Sequence, residues 1–171
     1  MSIWIVKNNI AIAVIPKNGS TSLRNFVGAT DIYDSKSVMQ FNTRIAFIRE
    51  PFDRLGSAYS FFKYLNDSNQ NGSKSASKDS TRSYENFVDH TFEIRNMHWN
   101  PQVEVLYDEG VLIPTHVYRL HEMHDVWERH FQGIYPALTV SNKASRLPVN
   151  DYRSDEIKKK YKGDLSLWHS L

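Results

Sequence analysis

The sequence predicts an α/β domain with a small, mainly parallel central sheet flanked by helices. Three short apolar runs carry this reading: IAIAVI (10–15), IAFI (45–48) and HVYRL (116–120). Each has the length of a buried strand, and each is followed by apolar residues at helical spacings of three and four. Strands that alternate with helices favour parallel pairing, because the helix returns the chain across the sheet.

Taken in order, Ile3–Val6 and Ile10–Ile15 read as two strands turned at Lys7-Asn8-Asn9. A helix runs from about Thr21 to Val27, with Gly28 as its stop. After a polar connection comes the strand within RIAFIRE, and Pro51 suits the first turn of the next helix. Glu50 and Asp53 lie near that helix's positive end, and Phe52, Leu55, Tyr59 and Phe62 share one face. The segment from Asn66 to Ser83 is almost free of apolar residues and reads as a flexible loop. A lid over a site and a tolerated surface insertion both fit it. Helical patterns follow at Tyr84–Ile94 and Pro101–Tyr107, then the strand near His116–Leu120 and a helix in HEMHDVWERHF. A last helix has Ser154 as N-cap and Ile157, Tyr161, Leu165 and Trp168 as its stripe; Gly163 weakens its continuity.

With 171 residues, 40 % apolar and 23 % charged, the chain suits a single domain spanning 1–171 with a real core. A net charge of +2 does not argue for nucleic acid, whereas a local basic site for a small anion fits. The absence of cysteine excludes disulfides, thiolate metal sites and cysteine nucleophiles. The N-terminal stretch lacks the pattern of a signal peptide, and no run has the length of a membrane span. The expectation is a cytoplasmic protein.

Two stretches carry chemistry. In PKNGST a strand ends and a helix begins, and helix N-termini offer unpaired N–H groups and partial positive charge to phosphate or sulfate. Lys17 adds a charge, Gly19 lets the backbone come close, and Ser20, Thr21 and Ser22 add hydroxyls. A phosphate cradle and a well-capped turn describe this stretch equally well. GxxxxGK[ST] is absent, since the lysine precedes the glycine. In IREPFDRLGSAY, Arg49 ends a buried strand, on the rim where open α/β sheets bind ligands, and Ser57 follows on the next helix. An arginine fork with a serine hydroxyl suits a second phosphate; a helix-entry pair of Arg49 with Glu50 or Asp53 is the structural alternative.

Together, PKNGSTSL and IREPFDRLGSAY resemble the two cofactor signatures of sulfotransferases that use 3′-phosphoadenosine 5′-phosphosulfate (PAPS). The resemblance implies a P-loop-like three-layer domain. It implies that Lys17 and the turn Asn18, Gly19, Ser20, Thr21 and Ser22 hold the 5′-phosphosulfate, while Arg49 and Ser57 hold the 3′-phosphate. Arg54 also matches a motif position. NMHWNPQVEVL is similar to the HW-x-PQ element of carbohydrate sulfotransferases that modify chondroitin and related glycans, and HVYRL to YKGDLSLW looks like that family's closing strand and helix. Two departures stand out. REP replaces the usual RDP, and the cysteines that often follow HW-x-PQ are missing. The glycan substrates therefore do not carry over.

On this resemblance Lys17 stabilises the departing phosphate and the N–H groups of Gly19–Thr21 the sulfuryl oxygens, with no metal required. The acceptor hydroxyl needs a base; His98, inside the third motif, is the candidate and Glu104 the fallback. The resemblance implies a sugar hydroxyl as acceptor, with a small metabolite or a lipid headgroup left open, and 3′-phosphoadenosine 5′-phosphate as the product. A P-loop-type kinase or hydrolase and a non-catalytic nucleotide-binding protein are the competing classes. His121 and His124 alone are far from a zinc signature. Lys158–Lys160 read as the solvated side of the last helix, and Trp4, Trp99, Trp127 and Trp168 as core.

Overall fold

The structure, a computed structural model, describes residues 3–27, 32–68, 75–131, 147 and 149–171. The stop expected at Gly28 lies outside them. The first two strands, β1 (Trp4–Lys7) and β2 (Ile10–Ala13), pair antiparallel with Lys7 opposite Ile10. Their two-residue turn puts Asn8 and Asn9 both at positive φ (50° and 62°), the conformation that matches strand twist and that asparagine tolerates.

The remaining strands are β3 (Ile32–Tyr33), β4 (Thr43–Ile48), the short hairpin β5 (Tyr107–Asp108) and β6 (Val111–Leu112), and β7 (His116–Arg119). The main sheet has the order β3-β1-β2-β4-β7. β2, β4 and β7 are mutually parallel, and β3 and β2 both run against β1. Four of the five strands therefore point one way, as expected, and only β1 is reversed. Its reversal follows from the two-residue turn, too short for a parallel crossover.

Strand alternation sorts the core. Ile12, Val14, Ile45 and Phe47 face α5 (Met123–Phe131), meeting Met123, Val126, Trp127 and Phe131, together with Leu23 of α1 (Ser20–Val27). Ala11, Ala13, Ile15, Ala46 and Ile48 face the other way, toward Leu106 of α4 (Val103–Leu106) and Leu167 of α7 (Lys162–His169). The sheet is thus covered on both faces. A third cluster lies beyond it, between α2 (Pro51–Asp67), α3 (Tyr84–Glu93) and α6 (Ser154–Lys160); the stripe Leu55, Tyr59 and Phe62 meets Phe87, Trp99, Ile157 and Tyr161 there.

Several boundaries differ from the sequence reading. The helix expected over Pro101–Tyr107 is one turn, because Tyr107 enters the hairpin closed by Glu109 and Gly110 at positive φ. The last helix is two, broken at Tyr161, and Arg153 in the left-handed region rather than Ser154 is its N-cap. Gly163 is not the break. It lets α7 approach α4, where a Cβ would stand 3.1 Å from Val103 Cγ2. Within the stretch that reads as a loop, Asn66 and Asp67 complete α2. Buried Asn66 donates from Nδ2 to Ala76 O, Ser77 O and Thr81 Oγ1 (3.1, 3.1 and 2.8 Å), tying residues 76–81 to the end of α2. Lys160 is not on a solvated face: it donates to Thr91 O and lies over the Phe92 ring, and burial lowers its pKa to about 8.

Candidate functional site

The carboxyl ends of β2, β4 and β7 share one rim, and each leads into a cation: Lys17, Arg49 and Arg119. After β2, Lys17 (φ 71°) and Gly19 (φ 74°) reverse the chain, and Leu23 N–H donates to Gly19 O at 3.0 Å. Ser20, Thr21 and Ser22 thus occupy the first turn of α1, ahead of its hydrogen-bond ladder. Gly19 has a reason beyond access: a Cβ there would meet Met123 Cε at 2.8 Å. Thr21 is exposed, Ser20 half-buried and Ser22 buried.

Asn18 points inward. Its Nδ2 donates to Phe47 O (2.8 Å) and to Gln102 Oε1 (2.5 Å). The side chain fastens the turn to the end of β4 instead of lining its outer surface.

Arg49 follows β4 directly, and its Nη1 donates to Lys17 O at 3.2 Å. The two stretches singled out in the sequence therefore touch. The helix-entry pair also exists in weak form, with Nε 4.0 Å from Asp53 Oδ2 and the Asp53 side chain 46 % exposed. Ser57 is half-buried one turn beyond Asp53 on α2.

Arg54, left without a role by the sequence, is buried. It donates from Nε to Pro16 O (3.2 Å), from Nη1 to Asn100 O (2.7 Å) and from Nη2 to Met97 O (2.9 Å). One guanidinium thus joins the Lys17 turn to the HWNPQ turn. Within the latter, Trp99 is core and donates to Ile94 O at 2.7 Å, and Gln102 is buried beside Asp164 of α7.

Lys17 Nζ sits 4.0 Å from the Phe61 ring centroid, and Phe61 lies nearly parallel to the His98 ring (14°, centroids 6.0 Å apart). Burial, then the positive charges of Arg49 and Arg54, lower the Lys17 pKa to about 8. Burial, then Lys17 and Arg54, lower that of His98 to about 4. His98 N–H and Nδ1 both meet Asn96 Oδ1 (3.0 and 2.8 Å), so Nδ1 carries the proton and Nε2 is the acceptor nitrogen. The imidazole is therefore neutral at physiological pH with a lone pair on Nε2, and the same burial makes it a weaker base than a free histidine. Glu104, the fallback, is engaged with Arg95 Nη2 (2.6 Å) and Asn100 Nδ2 (3.2 Å).

His121 packs edge-on to Trp168 while His124 faces Asp125 and Glu128, and among the described residues no three potential metal ligands cluster. Trp4, Trp99 and Trp127 are core; Trp168 is partly buried under the Arg119 guanidinium, 5.1 Å from its ring. A surface concavity at Asn8, Asn9, Gln40 and Thr43 lies at the amino ends of the strands and bears no charged side chain.

Sequence reasoning missed Phe61, Arg119, Asp164 and the function of Gln102. Phe61 had a signal, since Asp53, Ser57 and Phe61 fall four apart on α2. Asp164 had none, because its partners are 61 and 62 residues away.

An α/β sheet with cations gathered at its strand ends and a helix N-terminus beside them forms a positively charged rim, chemically suited to a small multiply charged anion. The chain matches the sequence profile of the sulfotransferase family over residues 24–166 and belongs to that family. The match spans Arg49, Ser57 and HWNPQ but begins beyond PKNGST. Comparison with curated proteins and with solved structures gave no match. Among the described residues no helix is long and apolar enough to cross a membrane.

Proposed function

We propose that this chain transfers the sulfuryl group of PAPS to an acceptor hydroxyl on a carbohydrate or small metabolite, within a P-loop-like three-layer domain. The observation that carries the reading is the 3.2 Å bond from Arg49 Nη1 to Lys17 O. It brings the expected 3′-phosphate residue against the expected 5′-phosphosulfate turn, although the two lie 32 residues apart. The donor's charge also fits. Burial, and after it two guanidiniums, disfavour the protonated form of Lys17, and a bound polyanion offsets that cost.

When bound, PAPS supplies a sulfuryl group on a good phosphate leaving group. Lys17 and the N–H groups that open α1 hold the 5′ side, while Arg49 and Ser57 hold the 3′-phosphate. The Lys17 ammonium stabilises negative charge as it develops on the departing oxygen. His98 Nε2 accepts the acceptor's hydroxyl proton, with Asn96 fixing the ring through Nδ1. Phe61, in contact with the lysine and stacked on the histidine, shields both from water.

Calorimetric titration with 3′-phosphoadenosine 5′-phosphate (PAP) tests the reading, with ADP as control and Arg49→Ala as variant. The wild type should prefer PAP, and the variant should lose that preference. A folded wild type that binds neither nucleotide overturns the proposal.

A further inference from the structure

We infer that Gln102 is a positioning residue for the donor: its carboxamide, oriented by Asp164, sets the spacing between the Lys17 turn and Arg49. This rests on the reading of those two elements as the PAPS site, and it assigns the PQ of HW-x-PQ to the donor rather than the acceptor.

The hydrogen bonds carry the inference. Gln102 Oε1 accepts from Asn18 Nδ2 (2.5 Å) and from the Arg49 backbone N–H (3.0 Å). Nε2 donates to Arg49 O (2.8 Å) and to Asp164 Oδ2 (3.2 Å). Both lone pairs and both hydrogens of one amide are therefore used. A flipped amide would set its NH₂ against two donors and its oxygen against a carbonyl and a carboxylate, so only one orientation is stable. Asp164 locks that orientation from behind, with Oδ2 also accepting Gln102 N–H (2.8 Å) and Oδ1 accepting Val103 N–H (2.9 Å).

The grip is on backbone and spacing, not on ligand. Arg49 is held at both its N–H and its C=O, which fixes where its side chain leaves the rim. Asn18 is held by its side chain, which fixes the turn between Lys17 and Gly19. Asn18, Gln102 and Asp164 are each at most 2 % exposed, so none of them is available to a nucleotide. A ligand with phosphates at both ends must match the distance that Gln102 imposes. A ligand with one phosphate need not.

That difference separates positioning from general support of the fold. The test compares PAP, which spans both elements, with 5′-AMP and 3′-AMP, which engage one each. Wild type, Gln102→Met, Asp164→Asn and Asn18→Ala are titrated at a temperature where each is folded by circular dichroism. In Gln102→Met, affinity for PAP should fall about tenfold to a hundredfold, the scale of an ångström of misplacement. The two monophosphates should lose about threefold or less, a small part of that. Asp164→Asn, which touches neither element directly, should shift the same ratio in the same direction. Asn18→Ala and Gln102→Met together should cost less than the sum of the two alone, because they share one bond while Asn18 also holds Phe47 O.

If Gln102→Met cannot fold, Asp164→Asn and Asn18→Ala decide the question by the same ratio. Variants that keep wild-type affinity for PAP, or that lose all three nucleotides in equal proportion, overturn the inference. A wild type with no preference for PAP over 5′-AMP overturns the donor reading and this inference with it. A wild type with that preference, unchanged in the variants, overturns this inference alone.

Discussion

Replacing Lys17 by methionine should stabilise the protein while abolishing donor binding. The ammonium is held with a pKa of about 8 against an ordinary 10.5. At about 1.4 kcal/mol per pH unit, keeping it charged costs about 3 kcal/mol at neutral pH. Partial exposure of the side chain screens this to about 2 kcal/mol. Methionine keeps the stem against Phe61, and a sulfur–aromatic contact replaces much of the cation–π contact at 4.0 Å. The pH dependence follows from the sign of the shift. Below about pH 8 the lysine is charged in both folded and unfolded chains, and the penalty is complete. Between about 8 and 10.5 the folded form loses its proton first, so wild-type stability rises relative to the variant. Urea unfolding of both proteins at pH 7 and pH 10 measures this. Lys17→Met should be more stable by about 2 kcal/mol at pH 7, a rise in Tm of roughly 4–8 °C, and the gap should shrink at pH 10. Adding PAP should stabilise the wild type alone. A variant less stable than wild type at pH 7, or a gap that ignores pH, would refute the electrostatic account of this lysine.

Three further outcomes are expected. His98→Gln should lower kcat by about 10²–10⁴-fold and leave PAP affinity unchanged, as a base that contacts only the acceptor would. In the wild type, kcat/KM should stay level down to about pH 5 and fall as His98 protonates near its pKa of about 4; an inflection near the ordinary histidine value would contradict the assignment. Gly19→Ala should destabilise by about 1–3 kcal/mol in thermal unfolding, chiefly through left-handed backbone, with Met123 Cε also having to shift. Asn66→Ala should cost about 1–3 kcal/mol of stability and not alter PAP binding, since Asn66 serves the chain after α2 and not the rim.

What the sequence revealed of the fold was whatever repeats within a window. The strands β2, β4 and β7 and the helices α2, α3 and α5 follow from local periodicity, and their parallel order from alternation. β3 and the β5–β6 hairpin escape detection because two-residue strands have no period; only the Glu109-Gly110 pair marks the hairpin. The break at Tyr161 is hidden because the apolar stripe continues through it: Ile157 and Tyr161 pack on one cluster and Trp168 on another. In the site, the exposed chemistry of Lys17 and Arg49 is legible as residue types at element ends. Its internal bracing is not. In sequence Asn18 reads as a ligand-facing amide, and only the Phe47 carbonyl and Gln102 show that it faces inward. Buried amides and carboxylates have partners chosen by the tertiary fold, and sequence spacing does not record them.

The buried Arg54 has a consequence for how the protein is made. Its guanidinium needs Pro16 O, Met97 O and Asn100 O, at sequence separations of 38, 43 and 46. As the chain leaves the ribosome, the first strands, α1 and α2 emerge with that cation unhoused. Burying it before residues 97–100 arrive would strand an ionised group in an apolar setting, at a cost of several kcal/mol. Asp164 comes later still. The rim proposed to hold the nucleotide is therefore encoded near the start of translation and set only near its end, so a chain stalled or clipped before α7 should lose donor recognition even where most of its sheet has formed.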